Sequence, residues 1–184
     1  MKIRGKQITT RQIICLIFYY TILYYLPSSI CTFAFIGKFS KRLRYICCKN
    51  IFKHCGKNVN IERKAKFGHG LDIEIGDNSG IGINASIPSN TIIGHNVMMG
   101  PNCYILSSNH SFANIDIPMI RQGYSSKKQT IIEDDVWIGR NVLMTPGRNI
   151  KKGSIIAAGC ILCKDFPEYA IIGGNPSRLI RSRK

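Results

Sequence analysis

The chain has 184 residues, 45% of them apolar, and carries 26 Lys and Arg against 10 Asp and Glu, a formal charge of +16. Length and composition suit one globular domain with an appendage and exclude a fibrous or low-complexity chain. The charge is uneven: residues 1–66 hold 14 basic and 1 acidic side chains, residues 67–149 hold 5 and 7, and residues 150–184 hold 7 and 2.

From Gln12 to Gly37 no residue is charged, and "IICLIFYYTILYYLP" is strongly apolar. A bilayer span needs about 20 apolar residues, and Pro27, Ser28 and Ser29 interrupt the run short of that length. Tyr19, Tyr20, Tyr24 and Tyr25 favour an interface, where the ring is buried and the hydroxyl stays wet. Lys2, Arg4, Lys6 and Arg11 precede the run, and Lys38, Lys41, Arg42 and Arg44 follow it. Two readings fit equally: the segment lies on an anionic cytoplasmic leaflet, or it packs as a helical extension on the main domain or a partner subunit. A true span ranks behind both. Nucleic acid is disfavoured, because no binding motif is present and the charge is interleaved with aliphatic surface.

Cys15, Cys31, Cys47, Cys48 and Cys55 are scattered through this basic part without a secretory signal before them. The one C-x-x-C, Cys160 to Cys163, lacks a second ligand pair. Both features predict structural thiols in a reducing compartment and no metal site.

Beyond the appendage the chain counts in sixes. Ile75, Ile81, Ile87, Ile93, Met99 and Ile105 are each six apart, and the count resumes with Ile132, Ile138, Met144, Ile150, Ile156 and Leu162. Four residues after most of these comes a small or β-branched residue, from Ser79 and Ala85 to Ser154 and Cys160, with Arg148 as the exception. A helix would repeat at three and four. A six-residue period instead lays one short strand on each face of a triangular coil, so that Ile75 lies beneath Ile93 and Ile132 beneath Ile150. "IGDN", "IGHN" and "IGRN" supply turn residues that tolerate φ > 0. The expected fold is an all-β-dominated parallel β-helix.

Ile105 to Ile132 is 27 residues, not a multiple of six, so a loop leaves the coil over residues 107–130. Loops beyond about 12–15 residues are uncommon unless they work. This one carries His110, one of four histidines, the others being His54, His69 and His95. Histidine is the side chain best matched to accepting a proton near neutral pH.

The words "IGHNVMMGPN", "SSNHSF", "IIEDDVWIG" and "AAGCILCKDFPEYAIIGGNPSRLIR" run between Gly56 and Arg181. In them the sequence resembles the hexapeptide-repeat acyltransferases, and within these the maltose and galactoside acetyltransferases and the enzymes that decorate bacterial surface polysaccharides. The resemblance implies a left-handed β-helix over residues 56–168, after a basic, apolar helical extension at 1–55. A C-terminal strand and short basic helix would occupy 169–184.

It further implies an acetyl-CoA-dependent O-acetyltransferase acting on a saccharide, in the cytoplasm or on the inner face of the membrane. Transfer would be direct, within a ternary complex, without a metal, in a homotrimer whose sites lie between subunits. By the same resemblance His110 is the general base. Trp137 borders the thiol end of the cofactor, the backbone N–H of Arg140 faces the oxyanion, and Ala158 borders the pantetheine. Lys164, Arg178 and Arg181 meet the phosphates, and Cys163 stands where the family usually has threonine. Asn84 is either an acceptor-facing asparagine or a plain turn residue. Asp165 is read as a turn support, and either Asp116 or a backbone carbonyl would orient His110. The competing functions are N-acetylation of an amino sugar or drug and a non-catalytic β-helix scaffold. A zinc carbonic anhydrase lacks its H-x-x-x-x-H pair here.

Overall fold

The structure, a computed structural model, describes residues 2–3 and 5–184, with side chains from residue 5 onward. Five coils of two-residue strands stack in parallel and make three walls. The first wall joins His54–Cys55, Glu74–Ile75, Ile92–Ile93, Ile131–Ile132 and Asn149–Ile150. Ile75 pairs with Ile93 and Ile132 with Ile150, the register that the six-residue count predicts. The second wall carries Met98–Met99, Trp137–Ile138 and Ile155–Ile156, and the third carries Tyr104–Ile105, Leu143–Met144 and Ile161–Leu162. The second residue of nearly every strand is an aliphatic that points inward, so Ile75, Ile81, Ile132, Ile138, Met144 and Ile156 are fully buried. Water is thereby excluded along the whole axis.

Positive φ at the corners is shared between Asn or Asp and glycine: Asn78, Asn84, Asn96, Asn102, Asp135 and Asn141 lie between +55° and +58°, and Gly147, Gly153 and Gly159 between +68° and +72°. The glycines after the inward aliphatics serve another purpose. A Cβ on Gly82 would collide with the carbonyl of Gly100, one on Gly100 would stand 2.8 Å from the Gly139 carbonyl carbon, and one on Gly139 would stand 2.6 Å from the Ala158 nitrogen. Consecutive coils therefore touch backbone to backbone at this corner, and only glycine fits between them. The asparagines form outer ladders, with Asn84 Nδ2 donating to Asn102 Oδ1 and Asn102 Nδ2 donating to Asn141 Oδ1, both at 3.0 Å.

A solenoid needs caps where stacking ends. At the first coil the cap is helical: α1 (Thr10–Phe18), one π-helical turn at Tyr19–Leu23, and α2 (Ala34–Ile51). Helix α1 starts at a capping box in which the Gln12 N–H donates to Thr9 Oγ1 and the Thr9 N–H donates to Gln12 Oε1. Tyr19 is buried against Phe67 and donates its hydroxyl to Ala65 O, while the Tyr20 hydroxyl donates to Gly68 O. The segment thus packs on the β-helix, and no helix among the described residues is long and apolar enough to cross a membrane.

Arg44, which reads from the sequence as one of the basic residues flanking the apolar run, is fully buried. Its Nε donates to Ile61 O at 2.6 Å and its Nη1 donates to Pro27 O at 3.0 Å, tying the inter-helix linker to the first coil. Its Nη2 lies 3.8 Å from Glu62. Burial pushes the Glu62 carboxyl up, but the Ser29 hydroxyl and Asn60 amide outweigh it and hold the group below its ordinary value. Lys6 is paired with Asp72, while Arg4 and the Lys2 side chain lie outside the described residues.

At the far end the expected C-terminal helix is replaced by a hairpin. Ala170–Gly173 stacks on Ile155–Ile156, and Arg178–Ser182 returns antiparallel to it. A strand satisfies the open hydrogen-bonding edge of the second wall, which a helix would leave unpaired. The turn folds back onto the third wall: the Ile161 N–H donates to Gly174 O and the Ser177 N–H donates to Ile161 O.

Two substitutions test this architecture. Arg44→Ala leaves Glu62 buried without its cation and is expected to cost about 3–5 kcal/mol in denaturant unfolding, whereas exposed Arg42→Ala stays within about 0.5 kcal/mol. Gly82→Ala, which overpacks the backbone column, is expected to cost about 1–3 kcal/mol by the same measurement.

Candidate functional site

The loop leaves the third coil after Ile105 and rejoins the first wall at Ile131. Almost wholly exposed, it is ordered by its own hydrogen bonds. The Ser111 N–H donates to Gly123 O, the Ser125 N–H to Asn109 O, and the Asn109 N–H to Ser125 Oγ. Gly123, at φ +74°, turns the returning leg so that this pairing can form. Beyond it, the Gln122 side chain ties the tip together by donating to Asn114 O and Ile117 O. His110 sits at the centre of the paired legs, opposite Tyr124, with ring centroids 4.3 Å apart and planes inclined by 32°. Among the described residues Asp116 makes no hydrogen bond or ion pair with it, and the contact on the imidazole is the Tyr124 ring.

Between this hairpin and the outer coils opens a cleft of about 530 Å³, lined by His110, Phe112, Lys128, Thr145, Arg148 and Cys163. Arg148 is the residue that broke the small-residue rule of the repeat. Its Nη1 donates to Cys163 O at 2.9 Å and lies 3.5 Å from Asp165, whose carboxylate also accepts from the Asn149 N–H. Asp165 therefore supports the turn, and Arg148 bridges two coils at the wall of the cleft. That break in the pattern was the available signal for Arg148; nothing in the sequence marked Lys128 or Thr145.

Cys163 is exposed, whereas Cys160, three residues earlier, points into the core. The Ser177 hydroxyl, 3.3 Å from the Cys163 sulfur, holds this thiol below its ordinary value. Burial does the reverse elsewhere, pushing Cys47 up to about 12 and Cys55 and Cys103 up to about 11.

The remaining candidates lie on another edge. Trp137 is half-exposed beside Met98 and Ile155 on the second wall. Arg140, Ala158 and Asn84 occupy the corner that follows it. The Arg140 N–H donates to no acceptor among the described residues, while its carbonyl accepts from Gly159 N–H at 2.8 Å. Asn84 is a rung of the asparagine ladder, which accounts for its presence without a ligand. Lys164 lies over the Phe166 ring, 5.5 Å from its centroid, and Arg178 and Arg181 are exposed on the terminal strand. Within one chain, then, His110 shares a cleft with Cys163 but not with Trp137, Arg140, Ala158 or Asn84.

His69 and His95 serve turns. His69 Nδ1 accepts from the Leu71 N–H, and His95 Nδ1 accepts from the Asp77 N–H. On the other side of the loop's root lies a second cleft of about 500 Å³, lined by His69, Asp72, Ser89, Asn90, Ser107 and Lys127 together with Ile87 and Pro88.

Two family models match the chain on either side of the loop: the bacterial transferase hexapeptide (six repeats) over residues 72–107, and the hexapeptide repeat of succinyl-transferase over residues 129–164. The Saccharomyces cerevisiae protein named "Putative acetyltransferase YJL218W" is 36% identical over 135 residues, 72% of this chain and 67% of its own. The galactoside O-acetyltransferase of Escherichia coli K12 is 32% identical over 135 residues, 72% of this chain and 65% of its own. The chain thus spans about two thirds of the length of these curated relatives. A solved hexapeptide-repeat-containing acetyltransferase from Vibrio cholerae O1 biovar eltor, complexed with acetyl coenzyme A, matches with a TM-score of 0.69 at 31% identity. That match covers 77% of this chain and 76% of the other. Repeat, relatives and solved structure agree: the chain belongs to the hexapeptide-repeat acetyltransferases.

Proposed function

We propose that this acetyltransferase moves the acetyl group of acetyl-CoA onto a hydroxyl of a saccharide, with His110 as the general base. The observation that carries the reading is the placement of His110: a single histidine, held by paired loop legs and the Tyr124 ring, facing a cleft shared with Cys163. Its imidazole nitrogen takes the proton of the acceptor hydroxyl as that oxygen attacks the thioester carbonyl. The negative charge that develops on the carbonyl oxygen meets the open N–H of Arg140. When the C–S bond breaks, the same proton passes from His110 to the departing thiolate of CoA, which restores the base.

The two halves of this machinery lie on different edges of one chain, which supports a site built between copies. The arm exposes Phe112, Ile115, Met119 and Ile120, and the second-wall corner exposes Met98 and Trp137. A trimer in which one arm lies across the next chain's corner covers both apolar sets and brings His110 to Arg140. Lys164, Arg178 and Arg181 then supply cations for the diphosphate and 3′-phosphate. The second cleft at the loop's root, with Asp72, Ser89 and Asn90, offers the donors and acceptors a sugar needs. Within that class we favour a surface-polysaccharide unit or its precursor, acetylated on the cytoplasmic side where acetyl-CoA is made.

The decisive experiment is thioester consumption by the purified protein across a panel of saccharides. His110→Ala is expected to lower turnover by about 10²–10⁴-fold with little change in acetyl-CoA affinity; undiminished turnover would sink the base. An acetylated product that resists mild alkali would be an amide and would move the acceptor to an amino sugar. Limited alkylation gives an independent check on the cofactor path. Cys163 should react before the seven other thiols, with an apparent titration lowered by the Ser177 hydroxyl, and saturating acetyl-CoA should slow it. Ser177→Ala should shift that titration upward.

A further inference from the structure

The helical cap has two faces, and the β-helix uses only one. On α2 the buried face consists of Gly37, Ser40, Arg44, Cys47, Cys48 and Ile51. On its opposite face Phe35 is 82%, Phe39 55% and Ile46 49% exposed, a helical spacing of four and seven. Lys38, Arg42 and Lys49 run along the flank of that stripe, all exposed. On α1 and the turn after it, Ile14, Ile17, Phe18 and Ile22 are between 41% and 61% exposed and again share one face, with Arg11 at its start. In the connection between the helices Ile30 and Phe33 are 81% and 71% exposed. Exposed apolar stripes of this extent mark a surface that something covers.

Charge identifies the occupant. No acidic side chain occurs before Glu62, so the whole cap is basic or neutral. The most buried of its cations, Arg44, is already committed to the interior, and Lys6 to Asp72. Arg11, Lys38, Arg42 and Lys49 remain at the rim of the apolar stripes. An apolar face rimmed by cations, with phenylalanine along it, is complementary to the headgroup layer of an anionic bilayer. No helix among the described residues has the length and apolarity to cross one, so the fitting geometry is in the plane of the interface.

We propose that the helical cap docks the protein onto an anionic membrane surface through the Phe35–Phe39–Ile46 stripe of α2 and the Ile14–Ile17–Phe18–Ile22 stripe beside it. This is independent of the acetyl-transfer chemistry, because none of these residues touches the clefts around the loop.

The test is flotation of the full chain with vesicles of phosphatidylcholine, with or without phosphatidylglycerol. The wild type is expected to float with the anionic vesicles and not with the neutral ones, and to detach when salt screens the headgroups. Phe35→Ser/Phe39→Ser removes exposed side chains only, and should lower binding at least about tenfold while melting temperature and light-scattering mass stay unchanged. Lys38→Glu/Arg42→Glu, which keeps the apolar stripe, should lose binding as well. Absence of flotation by the wild type, equal flotation with neutral vesicles, or undiminished binding by either variant overturns the proposal. If the wild type does not float and the phenylalanine variant changes the mass, the face belongs to a contact between copies of this chain instead.

Discussion

Every part of this molecule depends on how closely one coil lies on the next. Parallel strands at hydrogen-bonding distance bring identical positions into vertical register, and the corner after the second wall is tighter still. There Gly82, Gly100 and Gly139 pass backbone against backbone and end at Ala158. That column fixes the height of each coil and presents the Arg140 N–H at an open corner. A looser stack would still bury isoleucines, but it would not hold the Arg140 N–H at the corner where the proposed oxyanion would meet it. The closeness that makes the scaffold dry also fixes the position of this open N–H.

Closeness in the middle makes the ends a problem, and the two ends solve it differently. The last coil exposes hydrogen-bonding edges, and a hairpin satisfies them with more strand. The first coil exposes side chains, chiefly Ile61, Ala65 and Phe67, and two helices cover them. The helical solution joins two unlike elements, so it needs a fastening, and Arg44 provides it. A guanidinium can donate to several carbonyls from one rigid plane, which lets a single buried side chain hold the linker, the first coil and Glu62 together.

What the sequence disclosed follows the same division. The walls, their register and the site of the loop were legible because each inward aliphatic repeats at a fixed interval, and Ile75 over Ile93 is a direct reading of that interval. The role of the glycines was not legible as such. Turn residues were expected in "IGDN", "IGHN" and "IGRN", and there the left-handed backbone falls on Asn78, Asn96 and Asn141, while Gly82, Gly100 and Gly139 answer to a distance between coils. Arg44 was misplaced because a basic residue beside other basic residues reads as surface, and only the packing of α2 shows that it faces inward. "SRLIR" is too short to carry helical periodicity, and the vacant edge of the second wall decided its form. His110 could be singled out as the one histidine in the interruption. Its partner could not, since Tyr124 comes to it through hairpin pairing of loop legs that share no periodic signal.

The loop enters and leaves without disturbing anything on either side. Ile93 pairs with Ile132 across it as closely as Ile75 pairs with Ile93 where no loop intervenes. Scaffold and arm are therefore decoupled: residues in the arm can be lengthened, shortened or exchanged while the stack below and above keeps its register. A chain built this way can carry a different arm at one position without refolding the rest, which gives the architecture a modularity that a conventional globular core lacks.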